Sequence, residues 1–190
     1  MLDLQGDVKE HINILNKVEN VRPINIKKAE ELKNISALII PGGESTSMGK
    51  LLKKYDFVKA IKDFHNTGKP IWGTCAGLIL LSRKIEGNTN DCNNSFNLGL
   101  IDITVKRNAF GSQLNSFITE SIIPAISPEP LELVFIRAPI ITDWGPQVKI
   151  LARVKGKIVA VEQKNVLATA FHPELTKSTI IHQYFINKIY

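Results

Sequence analysis

A chain of 190 residues with 44% hydrophobic content holds enough apolar material for a single domain spanning 1–190, and two packed domains are not expected. The formal charge of +6 is spread evenly: residues 1–70 and 71–190 each carry 12 basic and 9 acidic side chains, and the longest basic runs are pairs such as Lys27-Lys28, with no interleaved aromatics, which argues against nucleic-acid binding. Two cysteines, Cys75 and Cys92, and four scattered histidines argue against a disulfide framework or a structural metal site, while the absence of an 18-residue apolar run or a basic-then-apolar start leads us to expect no membrane contact and a reducing, cytoplasmic setting.

Residues 1–4 read as the end of a strand, broken by Gln5-Gly6-Asp7, after which Val8, Ile12 and Leu15 recur at helical spacing. Residues 22–26 predict a short strand and 29–32 a short helix or turn. Residues 36–40 form a compact apolar strand that stops at Pro41-Gly42-Gly43, and Glu44-Ser45-Thr46 offer capping side chains for a helix through Met48, Leu51 and Leu52. Asp56 is placed to cap a further helix with Phe57, Val58, Ile61 and Phe64 on one face and Gly68 as its stop. Residues 69–81 read as strand, sharp turn and helix. This alternation predicts an α/β fold in three layers, a mostly parallel central sheet with helices on both faces, with function at the carboxyl ends of the strands. Beyond an Asn-rich loop at 87–97 the second half turns β-rich, with strands expected at 100–106, 113–118, 131–137, 148–154, 157–162 and 166–170 and a surface excursion at 124–130. A closing helix from Thr176 is expected to bury Ile180, Ile181, Tyr184 and Phe185.

The turn Gly73-Thr74-Cys75-Ala76-Gly77 is the strongest chemical signal. A cysteine between a strand and a helix meets the unpaired N–H groups and positive dipole end of that helix, which favour a thiolate. Phe171-His172-Pro173-Glu174-Leu175 also follows an apolar strand. Pro173 pushes His172 toward an extended conformation, so Glu174 can orient the imidazole while His172 reaches Cys75: nucleophile, base and orienter. Read alone, the same segment is an ordinary helix start. The glycines of Pro41-Gly42-Gly43 can turn backbone N–H groups toward an oxyanion, with Ala76 N–H as the second donor, although a plain turn is the simpler reading of that stretch by itself. Arg107 and Arg137 end β-type runs, where an arginine either clamps a substrate carboxylate or faces solvent. His11, His65, His182 and Cys92 read as structural or solvent-facing.

Pro-Gly-Gly-Glu-Ser-Thr at 41–46, Gly-Thr-Cys-Ala-Gly at 73–77 and Phe-His-Pro-Glu-Leu at 171–175 resemble the class I glutamine amidotransferases, whose fold is flavodoxin-like. The stretches from Arg107 to Gln113 and from Phe135 to Pro139, and Leu4-Gln-Gly-Asp7 with Glu10-His11, narrow the resemblance to the glutaminase subunits of pyridoxal 5'-phosphate synthase, of the vitamin B6 pathway. The resemblance implies that Cys75 attacks the side-chain amide of L-glutamine, that His172 is its base and proton donor and that Glu174 orients His172. It further implies an oxyanion hole from the backbone of Gly43 and Ala76, and a glutamine site built by Gly43, Glu44, Ser45, Arg107, Ile136 and Arg137. It implies no metal or cofactor, and a hetero-oligomer in which ammonia from glutamine hydrolysis passes to a synthase (lyase) subunit that activates the glutaminase. A glutaminase serving another biosynthetic synthase and a catalytically silent binding subunit are the competing readings; the two arginine-bearing stretches argue against the first and the intact Cys75, His172 and Glu174 against the second. A peptidase or esterase on a related fold is disfavoured by the glycine turn and both arginines, which suit a free amino acid. Chains of that kind usually carry several more apolar residues before the position of Met1, and Asp3 stands where a small apolar residue is usual. Synthase docking is therefore the function expected to suffer most from a shortened or truncated start; Ser47, in place of a second threonine, is expected to be silent.

Overall fold

The computed structural model describes residues 1–87, 97–108 and 116–190, so Cys92, most of the expected Asn-rich loop and the start of the strand expected at 113–118 lie outside the described residues. In chain order the strands are β1 (Leu38–Ile40), β2 (Ile71–Thr74), β3 (Ser82–Ile85), β4 (Ile101–Lys106), β5 (Ser116–Ile123), β6 (Ser127–Ile136), β7 (Ile140–Trp144), β8 (Lys149–Val154), β9 (Lys157–Gln163) and β10 (Val166–Thr169). The helices are α1 (Val8–Leu15), α2 (Ser45–Lys54), α3 (Phe57–Asn66), α4 (Ala76–Leu81) and α5 (Ile180–Ile186).

The main sheet runs β1-β2-β10-β9-β7-β4-β3, with β8 added on β9. The strands that end at the expected chemistry, β1, β2 and β10, are parallel neighbours, as the strand-helix alternation predicts. Beyond β10 the chain pairs β9 with β10, β7 with β9 and β4 with β7 antiparallel, so the sheet is mixed, and its antiparallel half is the β-rich second half of the sequence. Successive residues of a strand face opposite sides of the sheet, and β2 shows what covers each side. Trp72 packs edge-on against His11 of α1 and His182 of α5, whereas a Cβ on its neighbour Gly73 would lie 2.5 Å from the Gly77 carbonyl carbon of α4. Helices therefore sit on both faces. Every residue of α4 is buried, and Gly77 lets it approach β1 so closely that a methyl group there would meet the Ile40 carbonyl oxygen at 2.2 Å.

Several local expectations shift for identifiable reasons. The strand expected at 22–26 reduces to one bridge, Ile26 to Leu2, because Pro23 offers no N–H and Asn25 turns its side chain to Asp3 at 2.9 Å. Leu2 still joins the sheet, donating its N–H to Ile39 at 2.9 Å. Asp56 precedes α3 as expected but sits in the left-handed region at φ 58° with no capping bond from its side chain. Residues 124–130 lie at the surface apart from Ser127, as expected, but are not all loop: Ser127 to Pro130 begin β6, which pairs with β5 as a separate two-stranded sheet, and such a ribbon tolerates Pro128 and Pro130. The closing helix starts at Ile180 rather than Thr176, whose hydroxyl instead bonds back to the Pro173 carbonyl at 2.9 Å. Its buried face is Ile181, His182, Phe185 and Ile186; Ile180 is exposed and Tyr184 only partly covered.

Candidate active site

The backbone of Cys75 carries the first mark of a site. Between β2 and α4 it adopts φ 47° and ψ −100°, a conformation that side chains rarely take and that costs about 1–3 kcal/mol. Its N–H is fixed to the Thr169 carbonyl of β10 at 2.8 Å, and Gly73 and Gly77 on either side let strand and helix close to within reach of one another. The thiol is held at the end of the sheet, its Sγ 3.9 Å from the Ile136 carbonyl oxygen.

His172 arrives from the end of β10. Its N–H donates to the Val134 carbonyl of β6 at 2.8 Å, tying the loop to the hairpin, and Pro173–Leu175 forms a single 3-10 turn. The turn brings Glu174 Oε1 to 2.7 Å from His172 Nδ1, the contact expected from their i, i+2 spacing, although through a turn rather than an extended chain. That bond assigns a proton to Nδ1; Nε2 is buried, completes no hydrogen bond among the described residues, and is the nitrogen left for Cys75. Asp7, just before α1, places Oδ2 3.4 Å from the same Nδ1. Burial opposes a charge on His172, but the nearby Asp7, Cys75 and Glu174 outweigh it and push its pKa up to about 12. For Glu174, burial raises the carboxyl above its ordinary range, opposed by the His172 bond. The imidazolium beside Cys75 is the setting that makes a thiol nucleophilic.

Opposite the elbow lies the glycine turn. Asp7 N–H donates to the Gly42 carbonyl at 3.1 Å, and Glu44 N–H donates to Gln5 Oε1 at the same distance, so the segment before α1 grips the turn. A Cβ on Gly42 would lie 2.5 Å from His172 Cε1 and 2.7 Å from Asp7 Oδ2, so only glycine fits there. The Glu44 carboxylate caps α2, accepting from Thr46 N–H at 2.9 Å and Ser47 N–H at 2.7 Å. The Ser47 contact and these backbone bonds hold it at about 2 despite partial burial. With the side chain occupied in capping, what Glu44 offers a ligand is its backbone.

A cavity of about 500 Å³ collects the expected residues. Gly43, Glu44, Ser45, Cys75, Ala76, Arg107, Ile136, Arg137 and His172 all line it, and Glu174 stands behind His172. Arg107 is steadied by a 3.1 Å bond from Nη1 to Thr46 Oγ1, and Arg137 is held out of the strand by a left-handed backbone at φ 44°. Gln5 and Asp7 also line the cavity; the segment reads from sequence as a break after a strand, and its contacts with Gly42 and His172 become visible once β1 and β10 flank β2. Among the described residues, Asp7, His172 and Glu174 are the one group with metal-ligand atoms close together, within 4.8 Å. The Nδ1 atom that would ligate an ion is already bonded to a carboxylate on an imidazole held charged, so the group reads as a hydrogen-bonded relay. No helix among the described residues is long and apolar enough to cross a membrane.

An α/β fold with a cysteine at a strained strand-to-helix turn, a His-Glu pair at the neighbouring strand end and two arginines lining the same cavity has the layout that nucleophilic acyl-transfer chemistry requires. The chain belongs to the SNO glutamine amidotransferase family, whose model matches residues 1–190. It is 54% identical over 188 residues to the pyridoxal 5'-phosphate synthase subunit PdxT of Clostridium botulinum (strain Loch Maree / Type A3), covering 99% of this chain and 95% of the relative. It is 50% identical over 186 residues to the PdxT of Caldanaerobacter subterraneus subsp. tengcongensis, covering 98% and 96%. A solved structure described as a crystal structure of glutamine amidotransferase superimposes with a TM-score of 0.91 at 38% identity, covering 99% of this chain and 96% of the other.

Proposed function

We propose that this chain, a single domain over residues 1–190, is the glutaminase subunit of a pyridoxal 5'-phosphate synthase. It hydrolyses L-glutamine to L-glutamate and ammonia in the cytoplasm, where reducing conditions keep the Cys75 thiol free, and delivers the ammonia to a synthase subunit in a hetero-oligomer. The observation that supports this reading best is the 2.7 Å bond between His172 and Glu174, set beside a cysteine at a strained turn.

The chemistry follows from those positions. The Cys75 sulfur attacks the side-chain amide carbon of glutamine, a C–S bond forms, and the carbonyl electron pair moves to oxygen, where backbone N–H groups of Gly43 and Ala76 stabilise it. The oxyanion collapses as His172 gives its Nε2 proton to the amide nitrogen; the C–N bond breaks and ammonia leaves a thioester. Neutral His172 then takes a proton from water, the hydroxide attacks the thioester carbon, and collapse of the second oxyanion breaks the C–S bond to release glutamate and restore the thiolate-imidazolium pair. Glu174 holds Nδ1 and balances the charge each time the ring is protonated. Arg107 and Arg137 both line the cavity, where a guanidinium suits the α-carboxylate of a free amino acid. Ammonia release from glutamine, measured with and without the cognate synthase subunit, tests the reading. Stimulation by the synthase and loss of release in Cys75→Ala are expected. Release that survives Cys75→Ala overturns the nucleophile, and a rate indifferent to the synthase overturns the partner.

A further inference from the structure

Behind Glu174 lies a second set of polar groups that the hydrolysis steps above do not use. His11, in the middle of α1, and His182, on α5, are both fully buried. His11 Nδ1 is 2.9 Å from His182 Nε2, and His11 Nε2 is 3.2 Å from Thr74 Oγ1, the residue before Cys75, and 3.3 Å from Glu174 Oε2. Glu174 Oε2 is buried and, among the described residues, makes no hydrogen bond of good geometry; His11 Nε2 lies within ion-pair distance of it. Trp72 closes the space, edge-on to both imidazoles with ring centroids 5.7 Å and 5.0 Å away, and Phe185 packs against the same indole at 5.4 Å.

With Glu174 ionised, one arrangement of protons avoids setting a lone pair against its carboxylate. If His11 carried its proton on Nδ1, its Nε2 lone pair would face the Glu174 carboxylate oxygen, and two acceptors would meet in a water-free box. With the proton on Nε2, His11 donates to Thr74 Oγ1 and turns the positive N–H toward Glu174 Oε2, 3.3 Å away, while its Nδ1 accepts from His182 Nε2–H, which leaves His182 Nδ1 as the terminal buried acceptor, without a partner among the described residues. We propose that His11 is a positioning residue for the catalytic pair: as a neutral Nε2–H donor, fixed in that tautomer by His182, it holds the half of the Glu174 carboxylate that His172 does not, and keeps it ionised. This rests on the reading of Cys75, His172 and Glu174 as the catalytic groups. Burial first, then the nearby His182 and His172, lower His11 well below the ordinary histidine range, in keeping with a neutral donor.

The proposal has a pH signature. The groups facing Glu174 are His172 on its own turn, Asp7 and His11 from the N-terminal segment and α1, and Thr74 on β2, with His182 of α5 acting through His11. Burial and Asp7 favour the protonated carboxyl and His172 the charged one; a neutral His11 N–H turned toward Oε2 adds to the second. Without the His11 donor, Glu174 picks up a proton at higher pH and releases His172 from its anchor. In the complex with the synthase subunit, His11→Phe is therefore expected to lose tenfold or more of kcat/KM near pH 6 and to recover to within about threefold of wild type near pH 9, with KM for glutamine little changed. His11→Gln, whose amide N–H can stand in for Nε2–H, is expected to stay within about threefold of wild type at both ends. A His11→Phe loss of the same size at every pH, or no loss, overturns the positioning role and leaves His11 a packing residue. Should His11→Phe fail to fold, ring-¹⁵N spectra of the wild-type protein decide the matter: a neutral Nε2–H tautomer at His11 is expected, and an Nδ1–H tautomer or an imidazolium overturns the proposal. Cys75→Ala in the same assay separates this failure from that of the catalytic reading, since only the latter predicts that release survives it.

Discussion

Glu174→Gln isolates the charge of Glu174 from its shape. Glutamine can still place an oxygen near His172 Nδ1, where Oε1 now sits at 2.7 Å, so the bond survives but its ionic part does not. A hydrogen bond to a charged group is worth about 1.5–3 kcal/mol, and if that is the margin by which the imidazolium is held, kcat falls roughly 10- to 150-fold. The pKa shift gives the accompanying pH effect. His172 lies far above its ordinary value against the opposing pull of burial, with Asp7, Cys75 and Glu174 raising it. Removing one of the three lowers it, so the alkaline limb of kcat/KM moves toward neutral, because a deprotonated ring has no proton for the departing ammonia. Two effects on stability oppose one another, because losing the charge lowers His172 and with it the stability its raised pKa supplies. Burial raises the Glu174 carboxyl, so its ionised form costs stability above its unfolded value, and a neutral isostere removes that cost. Steady-state ammonia release in the presence of the synthase subunit, with thermal melts of each variant, reads all three effects. A kcat within threefold of wild type and an unmoved alkaline limb would refute the idea that Glu174 acts through charge, and a collapse of the melting temperature would show that it acts through packing.

Three further outcomes follow from the geometry. Arg107→Ala should raise KM for glutamine about tenfold or more while changing kcat and melting temperature little, since Arg107 faces the cavity and its Thr46 bond is partly exposed; an unchanged KM refutes the clamp. Gly42→Ala should leave the protein folded but cut ammonia release on the order of a hundredfold, because the added methyl must push His172 from 2.5 Å to a normal contact, and displacements near 1 Å are costly in an aligned site; near-normal release would show that the ring can yield without penalty. His172→Gln should destabilise most in acid. With its folded pKa raised from 6.5 to about 12, His172 contributes stability that is fully present below pH 6.5 and lost as pH rises toward 12, so urea midpoints of wild type and variant should differ more near pH 6 than near pH 9, and equal gaps would mean that the ring is not held charged.

The parts of the site that could be read from sequence are those in which local chemistry and function coincide. Cys75 sits where Gly73 and Gly77 force a sharp turn, His172 and Glu174 share one turn, and Pro41 to Gly43 end a strand; each is a short-range pattern, and parallel pairing of β1, β2 and β10 does the assembling. What escaped depends on partners far along the chain. Pro128 and Pro130 mark a loop by local rules, yet the two-stranded ribbon places them where no ladder hydrogen bond is needed. His11 and His182 are 171 residues apart, and a lone histidine on either helix says nothing by itself. The signal was present only in combination: Ile181, His182, Phe185 and Ile186 are one face of α5, and Val8, His11, Ile14 and Leu15 are one face of α1, each an apolar stripe holding one histidine. A histidine inside such a stripe must find a polar partner when the stripe is buried, because leaving it unpaired costs about 1–3 kcal/mol. Two helices, each bringing one such residue to the same face of the sheet, are therefore expected to pair them. Once they do, the spare nitrogen of the inner ring has to face the acceptors within reach, and in this fold these are Thr74 Oγ1 at 3.2 Å and, at 3.3 Å, the far oxygen of Glu174.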